Sequence, residues 1–227
     1  MPINDEPKPT TLPSDSYRWV LTEQADMLVT AEGHLEETLR LQYEGPYAAS
    51  LRANLSGLVE SELVDWAEET YADVVSTMTT PSFEFAGLDE IEPTLQVNSE
   101  ASYKKLVAPD EDLNYREDLP WLDRLLGYFI TNNEHYYYDF PGVRYESEVR
   151  FKIARTWTPD RTGPRVEFRG EFGNLARRYE IDGNLVTIKT MVGMPKRRIE
   201  VEEMEAFNDF ISKLREHNHF RILATLD

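Results

Sequence analysis

Alternating apolar and polar residues mark the start of the folded chain as a β-hairpin. A period of two is typical of a strand with one buried face. The turn segment TAEGHL contains Gly33, which can adopt the positive φ that a tight turn needs. The pattern therefore predicts two long paired strands. Their shared apolar face holds Tyr17, Trp19, Leu21, Ala25, Met27 and Val29, and then Leu35, Leu39, Leu41 and Tyr43.

The period changes to three and four residues after Gly45, with acidic residues in between. This spacing predicts an amphipathic helix that ends before Pro81. Two extended segments follow, SFEFAGL and TLQVNSEASYKKLV, so we expect the order strand, strand, helix, strand, strand, with the helix covering one side of a sheet. The apolar positions of the helix are Leu63, Trp66, Ala67, Tyr71, Val74, Val75 and Met78.

The second half of the chain reads as antiparallel sheet with a C-terminal helix. Apolar and polar residues alternate over the whole length of VRYESEVRFKI, which is typical of a strand with one solvent-exposed face. Asp182-Gly183 is a pair that a tight primed turn favours, and it predicts a second hairpin. PWLDRLLGYFI is read as a short helix or turn, residues 201–217 as an amphipathic helix, and FRILATL as a terminal strand.

These elements predict an α+β, β-rich protein with antiparallel, sandwich-like sheets and one amphipathic helix in each half. Residues 1–16 carry four prolines and no apolar period, so we expect a flexible tail. APDEDLNYREDLP interrupts the periodicity and is the best boundary candidate. The expected halves are 17–113 and 114–227, meeting near residue 115. Whether they share one continuous sheet is open.

Charge and cysteine content exclude several functional classes. The chain of 227 residues has 42 acidic and 24 basic residues, a net charge of −18, which disfavours binding to a nucleic-acid backbone. It contains no cysteine, so disulfides, thiolate nucleophiles and cysteine-based zinc sites are excluded. No apolar run has the length of a membrane span, and the first residues lack a signal-peptide pattern, so we expect no membrane insertion. No phosphate-binding loop is present either, and we expect no cofactor.

The charge is unevenly distributed. Residues 1–100 hold 20 acids and 4 bases, whereas residues 151–200 hold 6 acids and 11 bases. The basic residues Arg177 and Arg178, with Lys196, Arg197 and Arg198, are candidates for binding an anionic ligand. Pairing with the acidic first half, or exposure to water, is the simpler explanation.

TNNEHYYYDFPG, residues 131–142, is the most site-like stretch, because a histidine, two carboxylates and three tyrosines lie within it. On alternation, Tyr136 and Tyr138 share one face with Phe140, while Tyr137 and Asp139 share the other with His135. These groups need not converge. We interpret the stretch as a half-buried strand whose exposed aromatic face, Tyr136, Tyr137 and Tyr138, is a candidate interaction surface together with Lys196, Arg197 and Arg198.

Candidate metal and catalytic groups are weak. Asp110, Asp112 and Asn114 have the alternate spacing of a calcium loop, but Tyr115 and Trp121 replace the required glycine and glutamate. His217 and His219 could chelate a transition metal, although a place beside Arg215 at a helix C-terminus fits better; His34 belongs to a hairpin turn. No local nucleophile signature is present. An Asp/Glu acid–base pair is neither supported nor excluded.

The order of elements resembles the region of unknown function that follows the transglutaminase-like core in large bacterial exported proteins. The similar segments begin with VTAEGHLEETLRLQYEGPYAASLRANL and FEFAGLDEIEPTLQVNSEASY, and continue through LLGYFITNNEHYYYDFPGVRYESEVRFKI and the hairpin-to-helix stretch that includes RRIEVEE. The resemblance covers about residues 20 to 225. The catalytic Cys-His-Asp core of that family is absent here, so no catalytic residue can be transferred.

The resemblance implies a non-catalytic accessory module that contacts a protein or glycan partner, or a neighbouring domain of a larger protein. It also implies a periplasmic or extracellular setting, with a cytoplasmic protein as the alternative. Two other functions remain open. One is a hydrolase that acts on an envelope polymer through an Asp/Glu pair, and the other is a structural subunit of an envelope or motility complex.

Overall fold

The computed structural model describes residues 18–70, 79–88, 94–103, 106–131, 136–154, 156–160 and 165–226. The predicted tail, the end of the first predicted helix at 71–78, and Glu134 and His135 lie outside these ranges.

The described elements are thirteen strands, four α-helices and a 3-10 turn. The strands are β1 (Trp19–Val29), β2 (Leu35–Glu44), β3 (Thr79–Ala86), β4 (Thr94–Tyr103), β5 (Leu113–Asp118), β6 (Tyr138–Phe140), β7 (Val143–Ile153), β8 (Trp157–Pro159), β9 (Val166–Gly170), β10 (Gly173–Asp182), β11 (Leu185–Met194), β12 (Arg197–Ile199) and β13 (His219–Leu226). The helices are α1 (Pro46–Leu55), α2 (Glu60–Thr70), α3 (Pro120–Gly127) and α4 (Met204–Glu216), with the 3-10 turn at Val201–Glu203 before α4.

Eight strands form one mixed sheet in the order β3-β4-β2-β1-β7-β11-β10-β9. Both predicted hairpins are confirmed: β1 pairs with β2, and β10 with β11 across a two-residue turn in which Gly183 has φ 58°. Strands β1 and β7 run parallel, in register from Trp19 opposite Val143 to Val29 opposite Ile153. This pair joins strands from the two predicted halves in a single sheet.

The two faces of the sheet differ in burial. Odd-numbered positions of β1, β2 and β7 and even-numbered positions of β11 are buried, and the alternate positions are exposed or half-buried. We call these the inner and outer faces. The predicted β-rich α+β class is therefore confirmed. The one-sided alternation is typical of a sheet with one covered face, and in the described part of the chain the other elements cover only the inner face.

The second layer covers the inner face. It contains a small sheet, β5-β13-β8, together with α1, α3 and α4, and the ring of Tyr115 on β5 stacks on Phe151 of β7 with centroids 5.0 Å apart. The predicted helix at 201–217 and the terminal strand are both observed. Helix α1 was not predicted, because its ends are apolar but its middle lacks a clear amphipathic period. No helix in the described ranges is long and apolar enough to cross a bilayer.

Gly142 makes the sharp bend between β6 and β7. Its φ is +84°, and an added Cβ would lie 2.7 Å from the backbone nitrogen of Lys196 and 3.1 Å from the carbonyl oxygen of Met194. We expect Gly142→Ala to lower the free energy of unfolding by about 3 kcal/mol, because positive φ and a backbone clash both oppose the side chain. Urea denaturation followed by tryptophan fluorescence measures this.

Gly57→Ala is the matched control for that substitution. Gly57 also has a positive φ, +93°, but nothing lies within 4 Å of an added Cβ. Gly57→Ala should lower the free energy of unfolding by only about 1 kcal/mol, because it carries the cost of a positive φ without a clash. Equal losses in the two variants would show that the close approach at Gly142 contributes nothing.

Candidate functional site

A two-stranded ribbon of β6 and β12 brings together the two segments that the sequence marked as candidate interaction surface. The strands are antiparallel, with Arg197 opposite Phe140, Arg198 opposite Asp139 and Ile199 opposite Tyr138. Nearly sixty residues separate them in the chain. The bend at Gly142 turns β6 away from β7, so that it meets the segment that follows β11.

The outer side of the ribbon carries an aromatic–cation–carboxylate group. The guanidinium carbon of Arg198 lies 3.9 Å from the centroid of the Tyr137 ring, and its Nε donates to Oδ1 of Asp139 over 3.1 Å. The hydrogen bond to Asp139 raises the pKa of Arg198 above its ordinary value. Tyr137 remains 49% exposed, and Tyr136 71% exposed just before β6 begins. Both tyrosine side chains are therefore open to solvent.

The side chains of Arg197 and Tyr138 are instead half-buried against other parts of the chain. Arg197 donates to Oε1 of Glu203 over 2.6 Å and lies 4.8 Å from the centroid of Phe172, next to the capping box that begins the C-terminal helical segment. Tyr138 is half-buried against Phe207, and burial raises the pKa of its hydroxyl. Lys196 is exposed at the start of the ribbon. Only part of the predicted surface therefore faces solvent.

Aromatic side chains beneath the ribbon fix its position. The Phe140 ring meets Phe129 and Phe207 edge-on, with centroids 5.1 Å apart in both pairs, and Phe172 meets Phe207 at 5.4 Å. Edge-to-face contacts of this kind stabilise a packed cluster beyond the area that they bury. The exposed tyrosines therefore sit on a firmly packed base.

A second group of unusual residues crosses the inner face of the main sheet as a buried polar row. Strand register places Glu23 on β1 beside Ser147 on β7, Ser147 beside Thr190 on β11, and Thr190 beside Arg177 on β10. All four side chains are buried, with relative exposures between 1% and 5%. Four adjacent polar residues in a buried row need internal partners, because desolvation is costly.

Glu23 accepts a hydrogen bond at Oε2 from the hydroxyl of Tyr145. Burial raises the pKa of Glu23 from its ordinary 4.5 to about 7, while the Tyr145 hydrogen bond lowers it and the nearby Glu37 raises it further. Burial also moves the pKa of Tyr145 well above its ordinary value. At neutral pH the Glu23 carboxyl is therefore divided between its protonated and charged forms.

Arg177 ties this row to the second layer. Its Nε donates to Oγ1 of Thr190 over 2.9 Å, its Nη2 donates to the carbonyl oxygen of His217 over 2.9 Å, and its Nη1 donates to the carbonyl oxygen of His219. His217 is the C-cap of α4 and His219 begins β13. A buried cation thus satisfies the carbonyl at the C-cap of α4 and the carbonyl of the first residue of β13.

The predicted metal candidates serve the same kind of structural role. Oδ1 of Asp112 accepts from the backbone nitrogen of Leu226 over 2.9 Å, and Oδ1 of Asn114 accepts from Nε of Arg221 over 2.7 Å, so both oxygens bind β13. No group of three or more metal-binding side chains occurs among the described residues. Arg215 lies in the last turn of α4, as expected, and donates two hydrogen bonds of 2.7 Å to Asp123 on α3.

Sequence reasoning missed Glu23 as a special residue, and for Arg177 it offered an anionic ligand, pairing with the acidic first half, or exposure to water, but not burial against a helix end. The available signal was the alternation along the strands. Glu23 lies two residues from both Leu21 and Ala25, which face the core, and Arg177 lies two residues from Leu175 and Tyr179 in the same way. A strongly perturbed pKa often marks a catalytic group. Here Glu23 is 4% and Glu37 8% exposed, so both carboxyls are buried rather than placed in an open cleft.

Comparison with models of protein families, with curated proteins and with solved structures finds no match to this chain, so the ribbon and the buried row must be interpreted from their own geometry.

Proposed function

We propose that this chain is a non-catalytic interaction module of a bacterial transglutaminase-like envelope protein or assembly, and that it contacts a protein partner or neighbouring domain through the β6–β12 ribbon. The observation that carries the proposal is the exposed Tyr136 and Tyr137 beside Arg198, held on a packed aromatic base. The periplasmic or extracellular setting is part of the proposal and rests on the resemblance in element order.

The chemistry of the ribbon suits a protein interface. Tyrosine and arginine are enriched among the residues that contribute most to binding, because each offers a large contact area together with hydrogen-bonding groups. Arg198 is already oriented by the Tyr137 ring and the Asp139 carboxylate. Less conformational freedom is therefore lost when a partner binds. A glycan that stacks on the tyrosines is the alternative ligand for the same surface.

Site-specific photo-crosslinking in the source cell tests this function. A photoreactive phenylalanine at position 137 should give one or a few defined products, whereas the same residue in place of Met191, 54% exposed on the outer face, should give none of them. Mass spectrometry of the products identifies the partner. Identical products from both positions, or none from position 137, would contradict the proposal.

Tyr137→Ala separates binding from folding. We expect at least a tenfold loss of the crosslinked partner in a pull-down, with a fall in the free energy of unfolding of only about 1 kcal/mol from the lost cation–π contact. If every partner is retained and only stability falls, the tyrosine is structural and the ribbon is not the binding surface.

A further inference from the structure

The outer face of the main sheet holds a hollow of about 800 Å³, at the opposite end of β7 from the ribbon. Strands β1, β2, β4 and β7 form its floor, with further lining from Ser82 on β3 and Leu185 on β11. Its volume is in the range of ligand-binding clefts. No helix or strand of the second layer covers this side in the described part of the chain, since those elements pack on the inner face.

The two sides of the hollow carry opposite charge. Glu100 on β4, Glu36 on β2 and Asp26 on β1 line one side, and Arg150 and Lys152 on β7 line the other. Register fixes this arrangement, because Glu100 lies opposite Thr38, Thr38 opposite Asp26, and Asp26 opposite Arg150.

Most of these charges lack an internal partner. Within the described ranges Asp26, Glu36, Glu100 and Lys152 make neither a hydrogen bond nor an ion pair through their side chains, and Arg150 pairs with the exposed Glu148 next to the hollow. Opposite charges on one surface that do not neutralise each other directly leave a field across it. A ligand with the complementary charge order is favoured by such a field.

The separation of the charges selects the ligand. Adjacent strands lie about 4.8 Å apart, so two or three strand spacings put the acidic side chains on β2 and β4 about 10–14 Å from the basic ones on β7. A free amino acid or other small zwitterion is too short to reach from Glu36 or Glu100 to β7, and it could bridge only Asp26 and Arg150, which are one strand spacing apart. In an extended peptide, side chains three or four residues apart are separated by about 10–13 Å. The half-buried Leu28 on β1 offers apolar contact between the two ends, and the half-buried Leu185 on β11 offers it beside Lys152.

We propose that this hollow binds an extended peptide segment that carries a basic side chain and, three or four residues away, an acidic one. The basic side chain contacts Glu36 and Glu100, and the acidic one contacts Arg150 and Lys152. This site is separate from the ribbon: the two lie near opposite ends of the eleven-residue strand β7, about 30 Å apart. It does not depend on the function proposed above.

Fluorescence polarisation with two synthetic peptides tests the charge order. One fluorescein-labelled, end-blocked peptide has two lysines, a three-residue Gly/Ser spacer and two glutamates; the second has the same composition with lysine and glutamate alternating. We expect the first to bind at least tenfold more tightly. Equal affinities, or no binding of either peptide, would overturn the proposal.

A pair of double variants supplies the matched control. Arg150→Glu with Lys152→Glu should weaken binding of the first peptide at least tenfold. Arg178→Glu with Lys189→Glu makes the same change of charge on exposed positions of the same face, outside the hollow, and should weaken it less than threefold. Equal weakening by the two double variants would show only non-specific attraction and would reject the site. Circular dichroism melting confirms that both fold.

Discussion

Arg177→Met is expected to lower the free energy of unfolding by about 3–5 kcal/mol, a large fraction of the stability of a typical domain. The substitution removes the donors for the carbonyl oxygens of His217 and His219 and for the hydroxyl of Thr190. Buried acceptors without donors are costly, and the helix end loses its compensating charge. Methionine has similar length and suits the apolar surroundings, so a cavity contributes little.

Urea denaturation, with Arg178→Met as the control, measures the effect of Arg177. Arg178 is the next residue, has the same chemistry and points to the exposed outer face. Its substitution should change the free energy of unfolding by less than about 0.5 kcal/mol. A similar small change for Arg177→Met would show that the link between the sheet and the end of α4 is not important for stability.

Glu23→Gln is expected to remove a pH dependence of stability. The pKa of Glu23 rises from 4.5 to about 7 on folding. Between pH 4.5 and about pH 7 the carboxyl of Glu23 keeps its proton in the folded chain and releases it in the unfolded chain. The stability that this proton contributes is therefore complete below pH 4.5 and is lost as the pH rises through about 7. The free energy of unfolding falls by about 3 kcal/mol over the whole range, and by about 2 kcal/mol of this between pH 5.5 and pH 8. Glutamine imitates the protonated form and can still accept from Tyr145.

The measurement compares the free energies of unfolding of parent and variant at pH 5.5 and pH 8. The variant, which imitates the protonated form at every pH, should exceed the parent by about 1 kcal/mol at pH 5.5 and by about 3 kcal/mol at pH 8. Glu36→Gln removes the same charge from an exposed position on the next strand and should stay within about 0.5 kcal/mol of the parent at both values. A constant difference between Glu23→Gln and the parent at the two pH values would rule out proton uptake by Glu23.

The buried row, on the one hand, and the ribbon and the hollow, on the other, suit different tasks. In the buried row, Glu23 links β1 to Tyr145 on β7, and Arg177 links β10 to β11 and to the end of α4. The low exposure of the row assigns it to stability. The ribbon and the hollow on the outer face are open to solvent, and they are the surfaces through which we propose that the chain meets other molecules. Substitutions in the row should therefore change folding, and substitutions on the two surfaces should change binding.

Several elements could be predicted because their signal is local. VRYESEVRFKI becomes β7 from Val143 to Ile153, since alternation over eleven residues leaves one apolar face. Gly33 and Gly183 take positive φ in the turns expected of them. The exposure of Tyr137 and Asp139 and the burial of Phe140 also follow from simple alternation. Burial in these cases depends on the geometry of a single strand.

The partners of these elements could not be predicted in the same way. The parallel pairing of β1 with β7, the pairing of β5 with β13, and the meeting of β6 with β12 each join segments far apart in sequence. Such pairings depend on the sum of many contacts and on chain closure, and no short window of sequence contains that information.

The amino-acid sequence by itself therefore determined where most strands and the C-terminal helix lie and which side chains face the core. Only the tertiary structure decided that Arg177 caps α4, that Glu23 is buried beside Tyr145, and that Tyr137 and Arg198 form one exposed surface. The physical reason is that periodicity is a property of each segment, whereas the environment of a charge is set by whatever the rest of the chain packs against it.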